Sequence, residues 1–114
     1  MRILQVAPPW FEVPPRRYGG TELVVGALAD GLVDAGHDVT LLASGGSTTR
    51  ATLHSVYDRP PREDLGDTLT ELLHVLAVDE LGSFDVVHDH TVIGTARLAA
   101  RGTWPVVHTL HGPW

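Results

Sequence analysis

The chain opens with the apolar run Ile3-Leu4-Gln5-Val6-Ala7 and reaches, through a proline-stiffened loop, the junction Pro14-Pro15-Arg16-Arg17-Tyr18-Gly19-Gly20-Thr21-Glu22. The run predicts a buried strand. Residues Thr21 to Ala35 predict a helix with Leu23, Val24, Ala27, Leu28, Gly31 and Ala35 along one apolar face. Thr21 is the expected N-cap, Glu22 suits the first turn of the helix dipole, and Gly36 is a natural stop. A glycine pair where a strand feeds a helix lets backbone N–H groups approach a ligand with no side chain in the way. The spacing is not G-x-G-x-x-G, so the turn is not a dinucleotide fingerprint.

Outward from that junction, apolar runs and amphipathic stretches alternate, as in a parallel sheet with crossover helices. Strands are expected at Ile3–Ala7, Val39–Ala43, Thr52–Tyr57, Asp85–His88 and Pro105–Thr109. All but the third are nearly continuous apolar runs, as strands covered on both faces should be. The third alternates and reads as an edge. A second helix, from about Gly66 to Leu81, carries the stripe Leu65, Leu69, Leu72, Leu73 and Leu76, and a third runs from about Val92 to Ala100. Right-handed crossovers then give an α/β, Rossmann-like doubly wound parallel sheet in the order 3-2-1-4-5. Residues 1–114 form a single domain in this reading. Because the last strand lacks a following helix, the chain reads as truncated after the fifth strand, a piece of a longer protein. A sheet face left bare in this way is expected to drive association, as a homodimer or a swapped assembly involving the Trp114 end.

Composition narrows the partners. The formal net charge is −6, and no basic patch stands beyond Arg16-Arg17, which argues against nucleic acid. There is no cysteine, hence no disulfide and no thiolate metal site. Lysine is absent too, which removes a lysine nucleophile and a P-loop lysine. No apolar stretch is long enough to span a membrane, and the expected setting is cytoplasmic.

In open parallel sheets, ligands bind beyond the carboxyl ends of the strands. Those ends carry Pro8–Gly20 after the first strand, His88-Asp89-His90 at the fourth and His108-Thr109-Leu110-His111-Gly112 at the fifth. Gly19, Gly20, His90 and His111 are therefore expected to converge on one cleft. Glu22 is a candidate ligand contact, and Arg16 and Arg17 are candidate phosphate contacts. His37, His54 and His74 read as structural, and His88 and His108 as side chains turned back into the sheet. Asp89 reads as a partner for loop backbone. The His-x-His pair with a further histidine offers nitrogen ligands, but without the helical spacing of metal sites, and no metal is assigned.

Met1-Arg2-Ile3-Leu4-Gln5-Val6-Ala7-Pro8, Tyr18-Gly19-Gly20-Thr21-Glu22, Ala35-Gly36-His37-Asp38-Val39-Thr40-Leu41, Phe84-Asp85-Val86-Val87-His88-Asp89-His90 and Pro105-Val106-Val107-His108-Thr109-Leu110-His111-Gly112 together resemble the start of family 4 retaining glycosyltransferases. The resemblance implies the GT-B architecture, two Rossmann-like domains facing across a cleft. The acceptor sits mostly on the N-terminal domain and the nucleotide-sugar on the C-terminal one. It implies transfer of a sugar with retention, with no metal and no cofactor beyond the nucleotide-sugar co-substrate. Gly19 and Gly20 match the turn approaching the donor diphosphate. His111 matches the catalytic histidine beside the reacting sugar, while Glu22 and His90 fall on the acceptor side. The implied partners are the donor, a sugar or other hydroxyl acceptor, and the missing C-terminal domain, without which the chain alone is expected to be inactive. The alternative is a stand-alone α/β module that binds a phosphorylated or sugar ligand without catalysis. A metal-dependent hydrolase is a distant third.

Overall fold

A computed structural model describes residues 1–112; the packing expected of Trp114 lies outside the described residues. Five strands pair in parallel in the order β3-β2-β1-β4-β5. They are β1 (Arg2–Val6), β2 (Asp38–Leu42), β3 (Thr52–His54), β4 (Val86–Asp89) and β5 (Val106–His108). The order is the one expected, and the topology follows from it. Each crossover is right-handed when β1 is central and the chain reverses direction of winding after β3.

Alternation along β1 divides the interior into two layers. Leu4 and Val6 point to one face, where they meet Leu42, Val87, Val75, Val78, Phe84 and Leu98. Ala7 points to the other face, with Leu41, Ala43, Val13 and Val25. The second layer is covered by α1 (Gly20–Asp34), and the first by α2 (Thr68–Leu76) and α3 (Gly94–Arg101). Ile3, Leu4 and Val6 are all buried, as a strand sandwiched between helices requires.

The helix faces differ from expectation. Helix α1 buries Glu22, Val25, Gly26 and Ala29, while Leu23 and Val24 are 58% and 53% exposed. Small residues decide this: a Cβ at Gly26 would lie 3.1 Å from Val13 Cγ1, so the helix seats where its side is narrowest. Helix α2 likewise buries Glu71, His74 and Val75, leaving Leu65, Leu69 and Leu73 exposed. Both polar residues buried with it have specific partners, described below, and those partners offset the cost of taking them out of water.

Element ends also move. Strand β3 stops at His54 rather than Tyr57, because Tyr57 turns under the following loop and its hydroxyl donates to the Thr70 carbonyl at 2.8 Å. Strand β5 is an edge with Val107 exposed, not a strand covered on both faces. Helix α2 begins after Asp67, whose carboxylate accepts from the Thr70 N–H at 2.8 Å, and gives way to a 3-10 turn at Ala77–Glu80. Helix α3 starts at Gly94, two residues later than expected, and ends at Gly102 in the left-handed conformation.

Candidate functional site

The loop from Pro8 to Gly19 returns over the carboxyl end of β1 and sets the start of α1. The N-cap is Gly19, not Thr21, and no side chain caps the helix. Gly19 has φ 144°, and a Cβ there would lie 2.9 Å from Pro15 Cβ, so only glycine fits. The first intrahelical bond runs from the Leu23 N–H to the Gly19 carbonyl at 3.0 Å. The N–H groups of Gly20, Thr21 and Glu22 therefore precede the helical ladder. Nothing lies within 4 Å of a Cβ built on Gly20, which leaves its backbone open to solvent.

Gly19, Gly20, Thr21 and Glu22 line a cleft of about 260 Å³, and from the far side Glu71, His90, Thr91 and His111 line the same cleft. Trp10, Phe11 and Tyr18 supply apolar wall. Residues separated by almost the whole chain meet because β1, β4 and β5 are neighbours in the sheet and all end at the same edge. Glu22, 4% exposed, sits at the helix start with its carboxyl pushed above the usual range by burial. Its own backbone N–H opposes that shift, and the charge of Glu12 adds to it.

Four histidines gather behind the other wall, and two of them, His90 and His111, line the cleft. The His90 ring lies 4.0 Å from the His88 ring and 5.2 Å from the His111 ring, centroid to centroid. His90 Nε2 is 2.7 Å from Gln5 Oε1, and His90 Nδ1 is 2.9 Å from His111 Nε2. Burial, reinforced by repulsion from His88, His111 and His108, lowers the His90 pKa to about 3, so the ring is neutral near pH 7. Burial lowers those of His111 and His88 as well. With Gln5 Oε1 toward it, His90 carries its proton on Nε2 and accepts at Nδ1. His111 then donates from Nε2, and its Nδ1 holds the lone pair.

Asp89 anchors the same edge. Its Oδ1 accepts from the Thr91 N–H at 3.1 Å and the Thr91 hydroxyl at 2.8 Å, and its Oδ2 from the Thr95 hydroxyl at 2.9 Å. His108 Nδ1 donates to Oδ2 at 2.9 Å, which ties β5 to β4 and orients the loop carrying His111. Gly94 permits this packing: a Cβ there would fall 2.7 Å from Asp89 Oδ1. His88 Nε2 is 2.8 Å from the Thr109 hydroxyl. His88 and His108 are thus half-buried brackets between β4 and β5.

Glu71 accepts from the N–H groups of Val92 and Ile93 at 3.1 and 2.9 Å, fixing the loop between β4 and α3 beside the cleft. His74, fully buried, donates from Nε2 to the Ala7 carbonyl at 2.7 Å, and burial lowers its pKa to about 4. His37 takes a contact from the N-terminal amine at 3.1 Å, and His54 is exposed; neither lines the cleft. Sequence reasoning passed over Gln5, Glu71 and Trp10. A glutamine inside an apolar strand and a glutamate inside an apolar helix face were the available signals, since a polar group on a core face implies a partner.

Arg16 and Arg17 do not line this cleft. They line an adjoining cavity of about 540 Å³ with Phe11, Glu12, Tyr18 and Arg62. Glu12 is buried and accepts from the Arg16 N–H at 2.8 Å and from Arg62 Nη2 at 2.5 Å. Among the described residues, no group of three or more histidine, aspartate or glutamate side chains is arranged to hold a metal ion. No described helix is long and apolar enough to cross a membrane.

An open parallel sheet with a glycine turn before α1, and polar side chains gathered beyond the ends of β1, β4 and β5, defines a Rossmann-like α/β domain with a cleft at the carboxyl edge of its sheet. Residues 18–114 match the sequence profile of Glycosyltransferase Family 4, and the chain belongs to that family. The match spans Gly19, Gly20, Glu22, His90 and His111. No curated protein matches the chain.

Proposed function

We propose that this chain is the N-terminal, acceptor-side domain of a two-domain GT-B glycosyltransferase that moves a sugar from a nucleotide-sugar to a hydroxyl acceptor with retention. The observation that carries the reading is the meeting of the uncapped α1 start at Gly19–Gly20 with the His90–His111 pair across one cleft. The Gly20 and Thr21 N–H groups, which precede the helical ladder, favour an anion, and a nucleoside diphosphate leaving group gains negative charge as the sugar departs. In this reading Gly19 and Gly20 approach that diphosphate. His111 lies beside the reacting sugar, and its Nδ1 lone pair accepts from a sugar or acceptor hydroxyl. Neutral imidazoles do this without the cost of a buried charge. Glu22 and His90 line the acceptor side. No metal or cofactor beyond the nucleotide-sugar takes part, and the reaction is cytoplasmic.

A second domain would bring the remaining contacts to the donor and exclude water from the cleft. The 114-residue chain alone is therefore expected to show no transfer. The test is a panel of nucleotide-sugars assayed with the chain joined to its C-terminal domain and with the chain alone. Transfer only by the joined protein, with the anomeric configuration of the donor kept, supports the reading. Saturable binding of a sugar or phosphorylated ligand without transfer by either form returns the chain to a binding module.

A further inference from the structure

Beside the cleft, Arg16, Arg17 and Arg62 converge on the adjoining cavity, opposed there by the single carboxylate of Glu12. The balance is two positive charges in a chain of formal net charge −6. Glu12 is already engaged: one oxygen takes the Arg16 N–H and the other takes Arg62. It therefore braces the cavity floor rather than neutralising all three guanidiniums. Among the described residues the side chains of Arg16 and Arg17 have no acceptor, and Arg62 uses only one of its nitrogens on Glu12. At about 540 Å³ the cavity falls within the range of small-molecule sites, which run from roughly 300 to 1,000 Å³. Planar guanidinium forks match phosphate oxygens in pairs, and a phosphomonoester of about −1.5 to −2 charge suits several cations better than a single carboxylate does. A second depression beyond Arg62 adds Arg59 but also Asp58 and Glu63, so the positive charge is concentrated in the first.

The location indicates which part of a substrate binds there. Phe11 and Tyr18, packed edge to face with centroids 5.7 Å apart, line both the arginine cavity and the glycine–histidine cleft. One molecule can therefore place an anionic group among the arginines and pass over this aromatic pair into the cleft. We infer that the cavity formed by Arg16, Arg17 and Arg62 binds the phosphoryl group of a phosphorylated acceptor. The identification of that molecule as the acceptor rests on the transferase reading above; the phosphoryl site itself does not.

The experiment is an amide NMR titration of the 114-residue chain with glucose 6-phosphate as the probe, and with glucose and uridine diphosphate in parallel samples. Sedimentation with vesicles containing phosphatidic acid distinguishes a lipid source of the phosphoryl group from a soluble one. Glucose 6-phosphate or the vesicles should bind saturably, with glucose 6-phosphate shifting Arg16, Arg17 and Arg62, and glucose should shift none of them. The double variant Arg16→Ala/Arg17→Ala, altered only at exposed side chains, should weaken that binding about tenfold or more. Raising the salt from about 0.05 to 0.5 M should weaken it as well, since exposed charges are screened. Absence of saturable binding to both probes, or equal affinity in the double variant, overturns the proposal. Uridine diphosphate should leave Arg16, Arg17 and Arg62 unshifted, since the donor contacts lie mostly on the second domain. Absence of transfer by the joined protein in the assay above counts against the transferase reading and leaves the phosphoryl site standing; displacement of glucose 6-phosphate by uridine diphosphate from the arginines assigns the cavity to the donor and overturns the acceptor assignment.

Discussion

His90 Nδ1 lies 2.9 Å from His111 Nε2, while the other nitrogen of His90 is held 2.7 Å from Gln5 Oε1. A buried glutamine on the central strand thereby sets the tautomer of a histidine just beyond β4, which sets that of a histidine beyond β5.

This chain of hydrogen bonds predicts both rings in the Nε2–H form at pH 7. Long-range proton–nitrogen NMR of the imidazoles reads this directly. Gln5→Leu should leave His90 without its acceptor and mix the tautomers of both rings. In the two-domain transferase proposed above, His111→Ala should lower kcat by about 10²-fold or more with little change in Tm, since the ring is at the cleft rather than in the core. Wild-type kcat in that variant would remove His111 from the chemistry.

Acid stability follows from the two most buried rings. The pKa of His74 falls to about 4 and that of His90 to about 3, both below the ordinary value of 6.5. Between the lowered and ordinary values the unfolded chain binds more protons than the folded one. Stability from these rings is therefore full above about pH 6.5 and is lost as pH falls toward 4 and 3. For His74 the loss is on the order of 3 kcal/mol. Denaturant unfolding at stepped pH measures it. His74→Gln keeps a donor for the Ala7 carbonyl and should flatten the curve; an unchanged slope would acquit His74.

The two glycines of the turn should separate folding from function. Gly19→Ala meets a positive φ and the Pro15 ring, and should cost about 1–3 kcal/mol in stability. Gly20→Val has open space for its side chain but places bulk beside the first helical N–H groups. It should fold, with a normal thermal transition, and lose transfer in the two-domain transferase proposed above. Full activity in a folded Gly20→Val protein would mean that nothing approaches that backbone.

Self-association is expected of the isolated chain. Leu69 and Leu73 project from α2 at 61% and 48% exposure. Apolar area of this kind drives pairing of copies. Sedimentation should show mass rising with concentration, and Leu69→Glu with Leu73→Glu should return a monomer. A clean monomer for the unaltered chain at high concentration contradicts the expectation.

The strand order and the meeting of Gly19, Gly20, His90 and His111 at one sheet edge were legible in the sequence. Apolar runs of strand length alternating with helical stretches leave few chain paths, and right-handed crossovers select one of them. The same rule brought Gly19, Gly20, His90 and His111 to one edge, since they follow β1, β4 and β5, which lie side by side in the sheet. Which face each helix buries was not legible. Helices α1 and α2 have apolar residues most of the way round, so periodicity alone offers two faces. The choice fell to Gly26 and Ala29, which allow close approach, and to Glu71 and His74, which find partners only on the inner side. The placement of Arg16 and Arg17 in a separate cavity, and the Gln5–His90–His111 chain, also required the tertiary structure. Sequence spacing determines which residues arrive at an edge. Side-chain direction, burial and hydrogen-bond partnership across distant segments exist only once the sheet and its covering loops are packed together.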